Sequence, residues 1–391
     1  MDKREDPYSP GAGRAPFALT GRAQQTEDFE TAVLRIESGL DARPLAFYGL
    51  RGVGKTVLLR SLYEKVKARK WITAIVEGRP GKDLRSLIGE ELEEVLADLA
   101  KPKASQTVLK AVKTALSFLH LQVNTEGAFS LGLDLSSVDS SNAATGNIAG
   151  DFGRVVRDLS FAAEKSNTGV ALFFDEAQEM STEDLQAINT LAHRASQERY
   201  RLVLAIAGLP TLPGILAESN SYVERLYAYH ELGPLSAEAT AAALTEPAAF
   251  RNVEWTDGAI DFAVRATGGF SYFVQEFGSA SWASAKASPI NLKDARRADR
   301  LAQESLDTGF FKSRWTRATD AQKAYLQAMS LDGEGPSTTA GIAARLGKEP
   351  TALSPRRAEL ITKGLIYSPR QGAVAFTVPK MADFIKRQVT D

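Results

Sequence analysis

The sequence predicts an α/β fold, a doubly wound parallel sheet, followed by a small helical domain and a winged helix-turn-helix. Three observations predict it. Apolar runs of strand length alternate with helical patterns up to about Leu232, as parallel βαβ units require. A glycine-rich turn, Gly49 to Thr56, separates the first run from a helix, and from Leu235 the pattern becomes helical until a short hairpin near the end.

The elements follow in order. Residues 1–16, rich in Gly, Pro and charge and without periodicity, predict a flexible arm. The α/β core is expected over 17–234. It opens with helix Thr26 to Leu40, strand Leu45 to Tyr48, the glycine turn, a helix from Val57 with Leu58, Leu59, Leu62 and Tyr63 on one face, and strand Trp71 to Val76. Two helical patterns lie between Leu84 and Leu121. A Ser-, Gly- and Asn-rich stretch follows, so an irregular insertion is expected over about 101–150. After helix Asp151 to Lys165, the continuous apolar run Gly169 to Phe174 predicts a central strand buried on both faces, ending on Asp175 and Glu176. Helix Ser181 to Arg199 opens with a capping box, Ser181 and Asp184. Strand Arg201 to Ala207 is stopped by Gly208-Leu209-Pro210, and His230-Glu231-Leu232 is the last short strand. The helical domain, 235–308, holds Ser236 to Leu244, Asp257 to Ala266, Phe270 to Ala285 and Leu292 to Leu306. The winged-helix domain, 309–391, holds helices Asp320 to Met329, Thr338 to Leu346 and Arg356 to Lys363, the last with Ser354 as N-cap and Pro355 as first helical residue. Strands Leu365 to Tyr367 and Ala373 to Val378 complete the wing.

Composition narrows the function classes. With 391 residues, 44% apolar and 24% charged, the chain can bury a large core, and no apolar run approaches the ~20 residues that span a bilayer, so no membrane role is expected. There is no cysteine, which excludes disulfides and thiolate chemistry, and the three histidines, His120, His193 and His230, are isolated in sequence. The start MDKREDPYSPGAG lacks the apolar core of a secretion signal, so a cytoplasmic location is expected. Net charge is −1, yet residues 310–391 carry 13 Lys and Arg against 7 Asp and Glu, which makes the C-terminal part the candidate for touching a polyanion.

The chemistry begins at GLRGVGKT, which satisfies the phosphate-loop pattern G-x-x-x-x-G-K-[ST] between a strand and a helix and marks the sheet as that of a P-loop NTPase. Gly49, Gly52 and Gly54 let the backbone turn its N–H groups inward, with Leu50, Arg51, Val53 and Val57 completing the cradle. Lys55 supplies a mobile positive charge for the terminal phosphates, and the Thr56 hydroxyl is a hard-oxygen ligand for Mg2+. Asp175, at the end of a central strand, is the second magnesium ligand. Glu176 beside it is placed to orient or deprotonate the attacking water. The expected cofactors are ATP and Mg2+.

In its order of motifs, the chain from Phe17 onward resembles AAA+ ATPases of the origin-recognition and initiator type, overlapping STAND-like P-loop ATPases. The likeness rests on LTGRAQQ (Leu19 to Gln25), GLRGVGKT, LFFDEAQ, the strand ending in GLP, and ERLYAYHELGPLS, followed by a helical lid and a winged helix. The resemblance implies that Gly21 and Arg22 lie near the adenine side. It also implies that Arg225 serves as an arginine finger donated to a neighbouring subunit, hence a nucleotide-dependent homo-oligomer; the alternative is a surface arginine beside Glu224. Two departures from the family pattern stand out. Ala207-Gly208-Leu209-Pro210 offers no polar sensor side chain, and Thr267-Gly268-Gly269-Phe270-Ser271 holds no second sensor cation. Fewer charged groups at the phosphates predict a slow ATPase that works as a switch.

In the winged helix, Arg356 and Arg357 are expected to reach the major groove of duplex DNA and Arg370 the backbone or minor groove, with Lys348 and Lys363 flanking. Glu349 and Glu359 interrupt that basic surface, so a protein partner is the alternative. A nucleotide binder without catalysis is the third reading. Biological process, DNA sequence specificity, ring size and the use of the insertion are not encoded in any motif.

Overall fold

The computed structural model describes residues 1–99, 105–119, 145–219 and 222–390. They fall into two compact bodies, one of residues 23–48 and 58–231, the other of residues 1–22, 49–57 and 232–391.

The first body is the sheet. In chain order it comprises α1 (Ala23–Glu37), β1 (Leu45–Tyr48), the bulk of α2 (Lys55–Ala68), β2 (Ile72–Glu77), α3 (Leu84–Leu99), α4 (Gln106–Phe118), α5 (Ile148–Glu164), β3 (Val170–Asp175), α6 (Thr182–Gln197), β4 (Leu202–Gly208), α7 (Leu212–Ser219), α8 (Val223–Leu226) and β5 (Ala228–Glu231). All five strands are parallel, in the order β2-β3-β4-β1-β5. Every residue of β3 and β4 is buried, as their unbroken apolar runs require. The helix α1 buries Phe29, Ala32, Val33 and Ile36, the spacing of one helical face. Asp184 does double duty: its carboxylate accepts the Ser181 hydroxyl at 2.7 Å and the Leu84 N–H at 3.0 Å, tying the start of α6 to the start of α3.

The two helical patterns expected between Leu84 and Leu121 are α3 and α4, so the insertion expected over about 101–150 contains α4 and the start of α5. The amphipathic α4 packs on α5, with Phe118 stacked on Phe152 at 5.8 Å. α5 itself starts at Ile148 because Asn147 accepts the Gly150 N–H at 3.0 Å as N-cap. The centre of that stretch, 120–144, lies outside the described residues, as does His120.

The second body contains two small cores. Helices α9 (Ala237–Phe250), α10 (Asp257–Thr267), α11 (Ser271–Ser284) and α12 (Leu292–Ser305) enclose Leu244, Trp255, Val274, Phe277 and Trp282. α9 runs past the expected stop at Leu244. Pro247 is tolerated inside it, buried in the helical core. After a π-type turn at 306–311 come α13 (Lys312–Trp315), α14 (Asp320–Ser330), β6 (Ser337–Thr338), α15 (Thr339–Arg345), α16 (Ser354–Thr362), β7 (Ile366–Tyr367), β8 (Ala373–Phe376) and α17 (Met381–Thr390). The three strands form an antiparallel sheet, β6-β8-β7. Phe273 of α11 lies in the same core as Phe311 and Phe384, and Tyr272 stacks on Phe310 at 4.6 Å, so the helical part and the C-terminal module share aromatic packing.

Two expectations are corrected here. Ser354 is not an N-cap: a 3-10 turn at 350–353 runs directly into α16, Ser354 is already helical, and its hydroxyl bonds back to the Pro350 carbonyl at 3.4 Å. The N-terminal arm is anchored over its first nine residues. Tyr8 is 5% exposed, donates to the Leu244 carbonyl at 2.6 Å and accepts from the Trp255 indole at 3.1 Å. A Cβ on Gly278 would fall 2.5 Å from the Tyr8 ring, so a glycine makes the slot into which the ring fits. Asp6 accepts from Ser279 and the Ser9 N–H donates to Gln275, completing the seam.

Candidate functional site

β1 ends at Tyr48 and the chain passes straight into the loop, Gly49 to Thr56. Gly52 and Gly54 sit at φ +85° and +95°, a region that disfavours side chains. Gly49 is glycine for a different reason: a Cβ there would lie 2.2 Å from the Leu232 carbonyl oxygen.

Four of the loop carbonyls have hydrogen-bond partners. The Gly49 and Leu50 carbonyls accept the Lys55 ammonium, each at 2.9 Å. Gly52 accepts the Tyr272 N–H at 3.0 Å. Val53 accepts both the Arg22 guanidinium at 2.9 Å and the Ser271 hydroxyl at 3.2 Å. A loop that opens a helix can turn its amides toward an anion, with the positive end of α2 behind them; the Arg51 N–H donates instead to the Thr377 carbonyl at 2.9 Å. Lys55 is buried, and two of its partners are loop carbonyls, bonds that an arriving phosphate would replace with stronger, charge-assisted ones.

Gly21 and Arg22 work on the outside of this cradle. Arg22 is 7% exposed and also donates to the Gly233 carbonyl at 2.7 Å; burial pulls its pKa below the usual guanidinium value. Gly21, at φ +68°, lies where a Cβ would meet Ala239 at 2.8 Å. In the same body, the arm passes the loop at Gly13, whose Cβ position would be 3.5 Å from the Thr56 methyl group.

The acidic pair ends β3. Tyr48 is level with Gly208, and Phe174 with Ile206, so Asp175 stands at the same sheet edge where β1 finishes, with β4 between them. Asp175 is buried and accepts the Glu176 N–H at 2.8 Å. Glu176 adopts a left-handed conformation, φ 46° and ψ 41°, unusual for a non-glycine residue and of a kind that collects at functional sites. Gly78 allows it, since a Cβ at Gly78 would be 2.6 Å from the Glu176 carbonyl oxygen. The Glu176 carboxylate takes a hydrogen bond from the amide of Gln178.

Thr56 and Asp175 offer hard oxygen donors of the kind magnesium prefers. Among the described residues no group of three or more His, Asp or Glu is assembled to bind a metal.

The remaining expected residues are dispersed. Arg225, in α8, is exposed, and its main-chain carbonyl accepts from Arg43 at 3.1 Å. Arg356 and Arg357 lie half-exposed at the start of α16, while Lys348 and Arg370 are exposed in flanking turns. Lys363 departs from the expected flanking role. Its ammonium is spent inside the module on Gln322 at 2.7 Å and the Arg317 carbonyl at 2.9 Å, because the end of α16 packs near α14 and these acceptors stand within its reach.

Sequence reasoning did not single out Gln178, Ser271, Tyr272 or Thr377 as functional. Only Gln178 carried a signal, as the last residue of LFFDEAQ; the others are brought to the loop by tertiary folding.

Residues 18–204 match the AAA ATPase domain family, and residues 308–385 match a domain of unknown function, DUF8462. No curated protein matches significantly. Among solved structures, the Walker-type ATPase PABY2304 of Pyrococcus abyssi aligns with 94% of this chain and 96% of its own at 17% identity and a TM-score of 0.56. Cdc6p from Pyrobaculum aerophilum aligns with 100% of this chain and 98% of its own, at 14% identity and a TM-score of 0.48. The Thermotoga maritima RuvB Holliday junction branch migration motor aligns with 92% and 94%, at 14% identity and a TM-score of 0.45. Residues 18–204 are thus similar to AAA ATPase domains, and the Pyrococcus likeness agrees with an α/β P-loop NTPase fold.

Proposed function

We propose that the chain is an ATP-driven switch: it binds ATP with Mg2+, hydrolyses it slowly, and passes the nucleotide state to its C-terminal module, which acts as a winged helix on duplex DNA. The observation that carries this reading is the loop from Gly49 to Thr56, which opens a helix through two glycines at positive φ and buries Lys55 against the Gly49 and Leu50 carbonyls. In this reading the loop amides and Lys55 hold the β- and γ-phosphates, and Thr56 and Asp175 hold the magnesium. When bound, the ion would supply positive charge that offsets the charge of the phosphates. Glu176 orients the attacking water and takes its proton. Gly21 and Arg22 border the base. Arg225, offered by a second copy, completes the charge balance, so turnover rises on assembly.

Slow turnover follows from what surrounds the phosphates. β4 ends in Gly208-Leu209-Pro210, and the first residue of α11 at the loop is Ser271, so two positions that could stabilise developing charge carry no cation. Each absent donor of this kind costs about 10²–10³ in rate.

A second reading is favoured by one contact, the hydrogen bond from the Arg51 N–H to the Thr377 carbonyl at 2.9 Å. It makes the C-terminal module a restraint on the loop, released toward a protein partner rather than DNA.

Phosphate release tests the proposal. Wild-type protein should liberate phosphate from ATP, and Glu176→Gln should keep ATP affinity while losing about 10²-fold or more in rate. Equal rates would remove Glu176 from its role. Nucleotide-dependent particle mass, with and without duplex, then separates the DNA reading from the protein-partner reading.

A further inference from the structure

β4 brings no polar side chain to its C-terminal tip, yet a polar group is present there. It comes from Gln178, three residues beyond the end of β3. The Gln178 Oε1 accepts the Leu209 N–H at 2.9 Å, and its Nε2 donates to Glu176 Oε2, with Glu179 Oε1 as a longer partner at 3.4 Å. The amide has one orientation: rotated by 180°, it would set its oxygen against a carboxylate and its NH2 against a backbone N–H. The fit at β4 is close, since a Cβ on Gly208 would fall 2.9 Å from Gln178 Oε1. Gly208 and Gln178 therefore belong to one arrangement, a bare strand tip that admits an amide from the neighbouring strand's exit.

We propose that Gln178 is the positioning residue for the activating carboxylate and supplies, from β3, the polar contact that β4 lacks. This rests on the reading of Glu176 as the group that activates water. Glu176 leaves the strand in a left-handed turn, and a carboxylate on such a turn has several rotamers open to it. The amide selects one and references it to the backbone of β4. Binding of nucleotide does not need that selection; in-line attack does, because misplacing a catalytic group by about 1 Å costs on the order of 10²-fold.

Two substitutions separate this role from simple support of the fold. Gln178→Glu keeps an acceptor for the Leu209 N–H but replaces the donor to Glu176 with a like charge. Gln178→Met keeps the length and loses both bonds. For both, ATP affinity measured by calorimetry and the melting temperature should stay near wild type while kcat falls about 10- to 100-fold. The split between an unchanged ATP affinity and a fallen kcat is the readout that simple structural support would not give.

Wild-type kcat in Gln178→Glu and Gln178→Met, with Glu176→Gln inactive, would overturn the positioning role and leave the activating role of Glu176 standing. Loss of ATP affinity and melting temperature in proportion to kcat in both variants would reduce Gln178 to structural support. Full turnover in Glu176→Gln would remove the activating carboxylate itself, and the proposal with it.

Discussion

The main-chain N–H of Arg51, inside the phosphate loop, donates to the carbonyl of Thr377 at 2.9 Å. Thr377 is fully buried, and its hydroxyl donates to the Gly364 carbonyl at 2.7 Å, which fixes the strand exit carrying the acceptor. Gly364 leaves room for the other end of Arg51: a Cβ there would be 3.1 Å from the guanidinium. A loop amide committed to Thr377 is not available to a phosphate at the same time, so any ligand that recruits it shifts the equilibrium between the two arrangements.

Hydrogen exchange reads that competition. With magnesium and a slowly hydrolysed ATP analogue, peptides covering residues 364–380 should exchange faster than in the apo protein, while the loop itself becomes protected. Unchanged exchange over 364–380 would dissociate the C-terminal module from nucleotide binding.

Gly49→Ala should be more damaging than an ordinary glycine substitution, because its Cβ would sit 2.2 Å from a carbonyl oxygen, with backbone as the obstacle. Reshaping the loop should cost about 1–3 kcal/mol of stability and abolish measurable nucleotide affinity. A variant that melts and binds ATP like wild type would show that the loop is looser than this contact implies.

The half-exposed Arg356 and Arg357 of the C-terminal module should behave differently from Lys363. Arg356→Ala combined with Arg357→Ala should weaken duplex binding several-fold and lower the salt slope by about 2. Lys363→Ala should leave the salt slope alone and lower the melting temperature, since its ammonium holds Gln322 and the Arg317 carbonyl. Fluorescence anisotropy across a salt series measures both, and equal salt slopes in all variants would exclude a phosphate role for Arg356 and Arg357.

His230 gives a pH dependence with a definite sign. It lies on β5 against Phe47, with its Nε2 buried and unbonded, and burial lowers its pKa from the ordinary 6.5 while Asp28, 3.7 Å away, opposes the shift. The unfolded chain therefore takes up a proton more readily than the folded one. The contribution of His230 to stability is intact above about pH 6.5 and is lost as pH falls below it. Denaturant unfolding of His230→Phe should lose part of the decline that wild type shows between about pH 7 and pH 5; identical declines would assign it elsewhere.

How much of this was readable in the sequence depends on whether the cause is local. β3 and β4 are continuous apolar runs, and the glycines of the loop are spaced by the chemistry of a phosphate, so strands, loop and acidic pair stand where the sequence puts them to within a residue or two. Tyr8 was hidden because its slot is made by Gly278, far away in the chain. Ser354 has the residue type of a cap, but the turn at 350–353 had already started the helix. Lys363 reads as a surface charge until Gln322 is folded against it. Gln178 is the intermediate case: it sits in a recognisable motif, yet its partner Leu209 lies just past the end of another strand.

The central claim is a triphosphate held by the loop from Gly49 to Thr56, and titration calorimetry with ATP and magnesium tests it most directly. The account predicts saturable uptake of one nucleotide per chain by the wild type and none by folded Lys55→Ala. Well-folded wild-type protein that takes up no ATP, or a Lys55→Ala variant that binds it equally well, would contradict the account.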